Sequence, residues 1–355
     1  MNKQSARLEQ PVMEGRIMSP QASALSPTIK PGTGTGTRSR GMSGLRWVLQ
    51  NSVWLWLVGL VIIFGSLNGF FFSVANLQNV MIQATVLGLL ALAVSLPLLI
   101  AEIDLSIASN MGFSSVVGAM LVSTGHWPWW LGMLVGVGVG TLVGFFNGVC
   151  ITSLRMVSLI ETLAMMIILQ GALLAITHGS TITDLPDAYY WIGQTTVFGW
   201  PLMPVIFVLA LIGMMVFLRL TVPGRSVYAV GGNPLAAASA GVRVRRIKIL
   251  AFTASGFLSS IAGYLLASWQ MAITSNQGSG FLLYAIAAPI IGGVSVFGGR
   301  GHVLGILGGV LLLTVIHVGL SIVNVPSFYV DMIGGFAIFI AVAIDAMRVQ
   351  LSSTR

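Results

Sequence analysis

Residues 79–100 read NVMIQATVLGLLALAVSLPLLI and contain no Asp, Glu, Lys or Arg. An α-helix needs about 20 predominantly apolar residues to cross the hydrocarbon core of a bilayer, so this stretch is long enough to span a membrane. It lies within a longer charge-free region, 47–101, and two more such regions follow at 105–154 and 249–299. Each region is about 50 residues long, which leaves room for two spans and a turn. The pattern predicts an all-α polytopic membrane protein.

The overall composition supports the same fold class. Of the 355 residues, 56% are hydrophobic and only 7% are charged, whereas soluble domains carry about 25% charged residues. The net charge of +8 could also indicate a nucleic-acid-binding protein. Here, however, the basic residues flank apolar segments instead of forming one solvated face, so membrane orientation explains them better and no nucleic-acid partner is predicted.

The chain carries no signature of an enzyme or of a cofactor site. It contains no GxxxxGK[ST] motif and no Cys/His cluster with metal-ligand spacing, and we find no pairing of a nucleophile with a base. Its single cysteine, Cys150, lies in an apolar stretch. We therefore predict a chain that is not an enzyme and holds no cofactor or metal. If the protein uses ATP and Mg²⁺, a separate chain must bind them.

Ten apolar segments predict about ten transmembrane helices with both termini in the cytoplasm. The segments are 52–71, 79–100, 106–124, 129–151, 158–177, 200–218, 249–269, 282–298, 302–323 and 327–347. In this orientation the basic residues of the membrane domain all fall on the cytoplasmic side, which is the bias that membrane insertion produces. They are Arg46, Arg155, Arg219, Arg225, Arg243, Arg245, Arg246, Lys248, Arg300, Arg348 and Arg355. Two aromatic clusters, Trp127–Trp130 and Tyr189–Trp191, then occupy outer loops as predicted interfacial belts.

The fourth segment carries glycines at every fourth position, from Gly132 through Gly148. A stripe of this kind lets a neighbouring helix backbone approach closely. We predict a packing role for it, and the same role for the small residues between Gly301 and Gly309.

Residues 1–45 differ in kind from the rest of the chain. They are polar and contain Pro20, Pro27, Pro31 and the repeat GTGTGT at 32–37. Such a segment has too little apolar surface to offset the entropy of ordering. We predict a disordered cytoplasmic tail, followed by a membrane domain over 46–350.

Carboxyl groups interrupt the apolar pattern at two places. Glu102 and Asp104 lie between the second and third segments, and Ser106 and Ser109 follow them. An ionisable group close to hydrocarbon is costly unless it faces water, a partner or the protein interior. One interpretation is a broken element that lines a polar pathway, and the other is a cytoplasmic turn in which Asp104 caps the next helix. Glu161, near the start of the fifth segment, has either a pathway role or the simpler role of an interfacial carboxylate that snorkels to water.

The largest cytoplasmic loop is predicted over 219–248. Gly231 and Gly232 are expected to break the chain, Asn233 is a good N-cap, and a short helix over 235–240 is expected to end at Gly241. A small Ala-rich helix flanked by arginines suits insertion into a groove on a partner protein. The alternative is a basic membrane anchor that contains one turn of helix.

Four segments in family order resemble the permease subunits of ribose-type ABC importers, which include ribose, arabinose, xylose and galactoside permeases. They are EIDLS at 102–106, SLIETLA at 158–164, PGRSVYAVGGN at 223–233 and IIGGVSVFGGRG at 290–301. The resemblance covers essentially the whole membrane domain. It departs from the family pattern at Leu235 and Ala238, where the family usually has Glu and Arg, and at Glu161, where the family residue is apolar.

The resemblance implies a multi-pass protein of the bacterial inner membrane that imports a monosaccharide or similar neutral polyol. A cytoplasmic ATPase, a second permease copy or paralogue and a soluble sugar-binding protein are the implied partners, besides the sugar and the membrane lipid. Coupling to the ATPase is implied for Arg225, Gly232, Asn233, Ala236, Ala237 and Gly241. A place on or near the translocation pathway is suggested for Glu102, Asp104, Ser106, Ser109 and Glu161.

Two other functions compete with this prediction. An ion-coupled secondary transporter would use Glu102, Asp104 and Glu161 as its relay. A structural or channel-forming membrane protein would need Asp104 only as a cap. The coupling-like loop at 219–248 favours the ABC permease over both.

Overall fold

The structure is a computed structural model that describes residues 52–330, 332–336 and 339–340. The predicted tail, 1–45, and about half of the predicted tenth span, 327–347, lie outside the described residues. Within them the chain forms α1 (Ser52–Leu67), α2 (Val74–Leu99), α3 (Ile107–Ser123), α4 (Trp129–Ser153), α5 (Ser158–Thr177), α6 (Trp191–Gln194), α7 (Met203–Leu220), α8 (Val222–Gly232), α9 (Pro234–Ser239), α10 (Val244–Gln270), α11 (Phe281–Ile291) and α12 (Val303–Ile322). Two 3₁₀ helices, Gly69–Phe72 and Asp187–Tyr190, and one hairpin of β1 (Thr196–Val197) and β2 (Trp200–Pro201) accompany these helices. Residues 327–330, 332–336 and 339–340, in the predicted tenth span, are helical as well.

The membrane-spanning character of the chain is confirmed in coarse form. Six helices, α2, α4, α5, α7, α10 and α12, are long and apolar enough to cross a bilayer, and three shorter apolar helices, α1, α3 and α11, accompany them. The prediction of ten spans with cytoplasmic termini remains a prediction. The predicted eighth segment, 282–298, is wrong at its end, because α11 stops at Ile291. Gly292 and Gly293 follow, and Gly293 turns the chain with a φ of 87° that favours glycine.

Helix α2 forms the centre of the molecule. Every residue from Ala84 to Ile100 is buried, and α2 contacts α10, α11 and α12. Helix α10 packs in turn against α2, α3 and α4. The uninterrupted apolar sequence of α2 is therefore explained by protein contacts on all sides, as expected for a helix that is hydrophobic all round.

The predicted packing role of the α4 glycines is confirmed. A Cβ atom at Gly136 would lie 2.6 Å from the carbonyl oxygen of Ser114 in α3. At Gly144 a Cβ would collide with the carbonyl oxygen of Phe252 in α10. The glycine stripe thus lets α4 approach both neighbours at backbone distance.

The segment between α5 and α7 differs from the prediction. Tyr189 and Tyr190 are buried and do not form an interfacial belt. The 3₁₀ helix folds back onto α10, where the Tyr264 hydroxyl donates to the Tyr189 carbonyl at 2.9 Å. Burial raises the pKa of the Tyr189 phenol above its ordinary value, and the neighbouring Tyr264 adds to the shift. Trp191 remains exposed.

Candidate functional site

The segment between α7 and α10 contains two helices where the sequence predicted one. The chain does not break at Gly231 and Gly232, because α8 continues through both and ends at Gly232. The break comes at Asn233, whose extended backbone lets its side chain accept from the N–H groups of Leu235 and Ala236, both at 3.0 Å. The predicted short helix is therefore confirmed as α9, with Asn233 as its N-cap.

Helix α9 projects away from the rest of the protein. Leu235 is 80% exposed, while Ala237 two residues later is buried. Exposed arginines flank the helix along the chain at Arg225, Arg243, Arg245 and Arg246. Gly241 adopts a φ of 84°, which ends the segment in the left-handed region typical of a glycine after a helix. The result is a small exposed helix with an apolar side chain on a cationic surface.

Helix α8 joins this surface to the central helix. A Cβ atom at Gly231 would collide with the Leu99 carbonyl oxygen at the end of α2. The Gly299 N–H donates to that same oxygen at 2.9 Å, and the Tyr228 hydroxyl donates to the Gly301 carbonyl at 3.1 Å. Burial raises the pKa of the Tyr228 hydroxyl above its ordinary value. We call this contact of α8, the end of α2 and residues 298–301 the joint.

Asp104 occupies a buried polar network between the helices. It is 1% exposed. One carboxylate oxygen accepts from the Ser106 N–H at 3.0 Å and from the Ser106 hydroxyl at 2.6 Å, and the other accepts from the Ser255 hydroxyl at 2.8 Å. Asp104 is therefore not the N-cap of α3, whose cap residue is Ser106, although it accepts from the Ser106 backbone just before the helix begins. It does so inside the protein and not in an exposed cytoplasmic turn.

Glu161 belongs to the same network, and the snorkelling interpretation is wrong. The side chain is only 4% exposed, because the start of α5 packs against α3 and α4 and turns the carboxyl inward. In the amide orientation that suits both neighbours, the Asn147 N–H donates to Glu161 Oε1 at 3.3 Å and the Asn147 amide oxygen lies 2.9 Å from Ser106 Oγ. Asn147 therefore connects Glu161 to Ser106, which contacts Asp104. Glu161 Oε2 has no hydrogen-bond partner.

The other two predicted pathway residues lie beside this network. Glu102 is partly buried and forms an ion pair with Lys248 of α10. Ser109 is buried in the first turn of α3. The structure therefore gathers Asp104, Ser106 and Glu161 into one set of contacts and leaves Glu102 in a separate pair.

A cavity of about 470 Å³ lies among α2, α10, α11 and α12. Its lining is Gln83, Val86, Leu87, Leu266, Trp269, Gln270, Ser279, Gly280, Phe281, Tyr284, Leu313, Thr314 and His317. None of the five predicted pathway residues is in this lining, so their role in the pathway remains a prediction. Sequence reasoning missed the cavity, although Gln83 and Thr314 are isolated polar residues in apolar helices and were the available signal.

A helical membrane domain with a ligand-sized cavity and a separate exposed helix flanked by arginines fits a transport permease. Residues 76–342 match the family described as "Branched-chain amino acid transport system / permease component". The chain belongs to this family. Membership of this family, together with the apolar helices, makes the chain a multi-pass protein of the inner membrane. The same observations favour an ABC permease over an ion-coupled transporter.

Curated relatives extend over almost the whole chain. The ribose import permease of Bacillus subtilis (strain 168) is 36% identical over 81% of this chain and 90% of its own length. The L-arabinose ABC transporter permease of Azospirillum brasilense is 35% identical over 94% of this chain and 97% of its own. The autoinducer 2 import system permease of Enterobacter sp. (strain 638) is 34% identical over 88% of this chain and 91% of its own length. The resemblance to ribose-type ABC importer permeases is thus confirmed.

Proposed function

We propose that the protein is the permease subunit of an ABC importer for a monosaccharide or a similar neutral polyol. Relatives whose names specify ribose and arabinose import support the cargo class. The observation that carries the proposal is α9, a capped helix with an 80% exposed leucine, joined through Gly231 to the end of α2. A small exposed helix attached to the central helix suits a partner that drives conformational change.

The partners follow from this surface. A cytoplasmic ATPase, which binds the ATP and Mg²⁺, docks on α8 and α9 through a surface that includes Arg225 and the segment from Gly232 to Gly241. A second permease copy or paralogue completes the transport path, and a soluble binding protein delivers cargo at the opposite end. In this arrangement α9 faces the cytoplasm, and the proposal retains the ten spans and cytoplasmic termini inferred from the apolar segments. The arginines around α9 support that orientation.

The acidic network serves the pathway by positioning the chain between α2 and α3. Asp104 and Ser106 fix the start of α3 through their hydrogen bonds. Glu161 contacts them through Asn147, and the ion pair of Glu102 with Lys248 connects the same segment to α10. ATP-driven movement of α8 reaches this segment through Leu99, because residues 100–106 follow directly after the joint.

Leu235→Asp tests the docking of the ATPase. The substitution places a carboxylate on an exposed position, so we expect the permease to fold normally. It should weaken co-purification of the cognate ATPase by about tenfold or more, since a charge would have to be buried in an apolar contact. Uptake of sugar into proteoliposomes that contain the ATPase, with the binding protein supplied outside, should fall in parallel.

Phe198→Asp is the matched control. Phe198 is 99% exposed at the turn of the β-hairpin, far from α9 in the fold, and its replacement should leave ATPase co-purification unchanged. Equal co-purification of Leu235→Asp and the unaltered protein would contradict docking at α9. Uptake that survives ATP depletion but collapses with the proton gradient would contradict the proposed function itself.

A further inference from the structure

We infer that the cavity among α2, α10, α11 and α12 is a cargo-binding site for an uncharged, polyhydroxylated molecule of monosaccharide size. The inference rests on the proposed function and names the residues that hold the cargo. The cavity volume of about 470 Å³ falls in the range of about 300–1,000 Å³ that small-molecule sites occupy.

The chemistry of the lining suits a neutral polyol. No Asp, Glu, Lys or Arg lines the cavity, so it offers no fixed opposite charge to a charged cargo. Gln83, Gln270 and Ser279 bring amide and hydroxyl groups that both donate and accept hydrogen bonds. Trp269 and Tyr284 add aromatic rings for the apolar faces of the ligand. Mixed aromatic surface with a few polar groups is the usual composition of a small-molecule site.

Thr314 gives independent evidence that a ligand is expected here. It lines the cavity, it is 3% exposed, and its hydroxyl has no hydrogen-bond partner. Every other threonine inside the described helices donates to the carbonyl four residues earlier. These are Thr85, Thr141, Thr152, Thr162, Thr177 and Thr253. Leaving a buried hydroxyl unpaired is costly, and a threonine in a helix adopts two χ1 rotamers, so a rotation presents this hydroxyl to a bound ligand.

The position of the cavity connects it to the joint. Gln83 lies in the first half of α2, and Leu99 ends the same helix against Gly231. The two positions are about 24 Å apart along the helix, at 1.5 Å per residue. The cavity therefore lies toward the end of α2 that is opposite the joint. Its lining residue Trp269 accepts a hydrogen bond from Gln194 through its carbonyl at 2.9 Å. One continuous helix forms both a wall of the cavity and a part of the joint.

Thr314→Val tests the contact with cargo. The variant keeps the shape of the side chain and removes the unpaired hydroxyl, so thermal stability in detergent should be unchanged or higher. The initial rate of ATP-driven uptake, with limiting cargo-loaded binding protein, should fall about 2- to 10-fold, as expected for one lost hydrogen bond. Thr253→Val is the control, because that hydroxyl bonds to the Ile249 carbonyl and does not line the cavity. Its uptake rate should stay at that of the unaltered protein.

Thiol labelling provides a direct readout of occupancy. In a Cys150→Ala background, His317→Cys places a thiol at an exposed position of the lining. A charged, membrane-impermeant thiol reagent added from the outside should label it, and cargo-loaded binding protein should slow labelling relative to the unloaded binding protein. Phe198→Cys in the same background controls for shielding by the docked binding protein. It should be labelled equally fast with loaded and with unloaded binding protein.

The outcomes separate the inference from the proposed function. ATP-driven sugar uptake by the unaltered complex, combined with normal uptake by Thr314→Val and no protection of His317→Cys, overturns the inference and leaves the function standing. Labelling of His317→Cys only by a lipid-soluble reagent also overturns it, because the cavity then faces lipid. Absence of ATP-driven sugar uptake by the unaltered complex overturns the proposed function and this inference with it.

Discussion

Glu161 shows that the environment of a residue in the fold can differ from the environment that its sequence neighbours suggest. It lies near the start of an apolar helix and six residues after Arg155, a pattern typical of an interfacial side chain. The fold instead buries it beside Asn147, with one carboxyl oxygen unpartnered. Among the residues that the structure describes, the one ion pair found is that of Glu102 with Lys248. The sequence marks Glu161 as unusual, but the neighbour that explains it comes from another helix.

Glu161→Gln should therefore be well tolerated. Glutamine keeps the shape of the side chain, and its carbonyl oxygen can accept from the Asn147 N–H as Glu161 Oε1 does, so thermal stability should not fall. Glu161→Ala leaves a void and an unpaired amide and should cost about 1–3 kcal/mol of unfolding free energy. Thermal unfolding in detergent distinguishes the two variants.

The same pair of variants tests what Glu161 contacts. Because Glu161 does not line the cavity, Glu161→Gln should leave the ranking of transported sugars unchanged in a competition uptake assay. A changed ranking would show that Glu161 touches cargo, and the positioning role proposed for the acidic network would be wrong.

At the scale of elements, local signals were predictable and distant contacts were not. Asn233 followed by Pro234 predicts the start of α9 from adjacent residues alone, and the four-residue glycine period of α4 predicts close packing without naming the partner. Tyr189 packs against Tyr264, a residue 75 positions away in the chain. The local aromatic composition could not predict that contact and suggested an interfacial belt instead. The cavity draws on four separate segments, from Gln83 to His317, each of which contains isolated polar residues with ordinary explanations.

Gly144→Leu should separate α4 from α10. The added side chain would collide with the Phe252 backbone, and overpacking of this kind costs about 1–3 kcal/mol or more. Gly138→Leu in the same helix is the control, because a Cβ atom at Gly138 meets nothing within 4 Å. We expect a lower melting temperature for Gly144→Leu only. Equal melting temperatures for the two variants would contradict the close approach of α4 and α10.

At the scale of the whole molecule, helix α2 connects three features that lie far apart. It lines the cavity near Gln83, it forms the buried centre of the fold, and it ends at Leu99 in the joint. Immediately after Leu99, residues 100–106 enter the acidic network. The family resemblance predicts a coupling segment and a conserved acidic segment separately. The structure shows that both lie at the end of one helix. The acidic segment follows Leu99 directly in the chain, and α8 approaches the Leu99 carbonyl because Gly231 has no side chain to keep the backbones apart.

Gly231→Ala should uncouple ATP hydrolysis from transport. The added methyl group would push α8 away from the Leu99 carbonyl and the Gly299 N–H, while the exposed face of α9 stays intact. We expect the ATPase to co-purify normally and hydrolyse ATP, and sugar uptake to fall about tenfold, since 1.4 kcal/mol is enough to change a conformational population by that factor. Ala229→Val is the control, because Ala229 lies on the exposed side of α8 and its larger side chain should preserve both activities. Full uptake by Gly231→Ala would show that motion reaches the spans by a route other than the joint. Loss of ATPase binding by this variant would assign Gly231 to the docking surface and not to transmission.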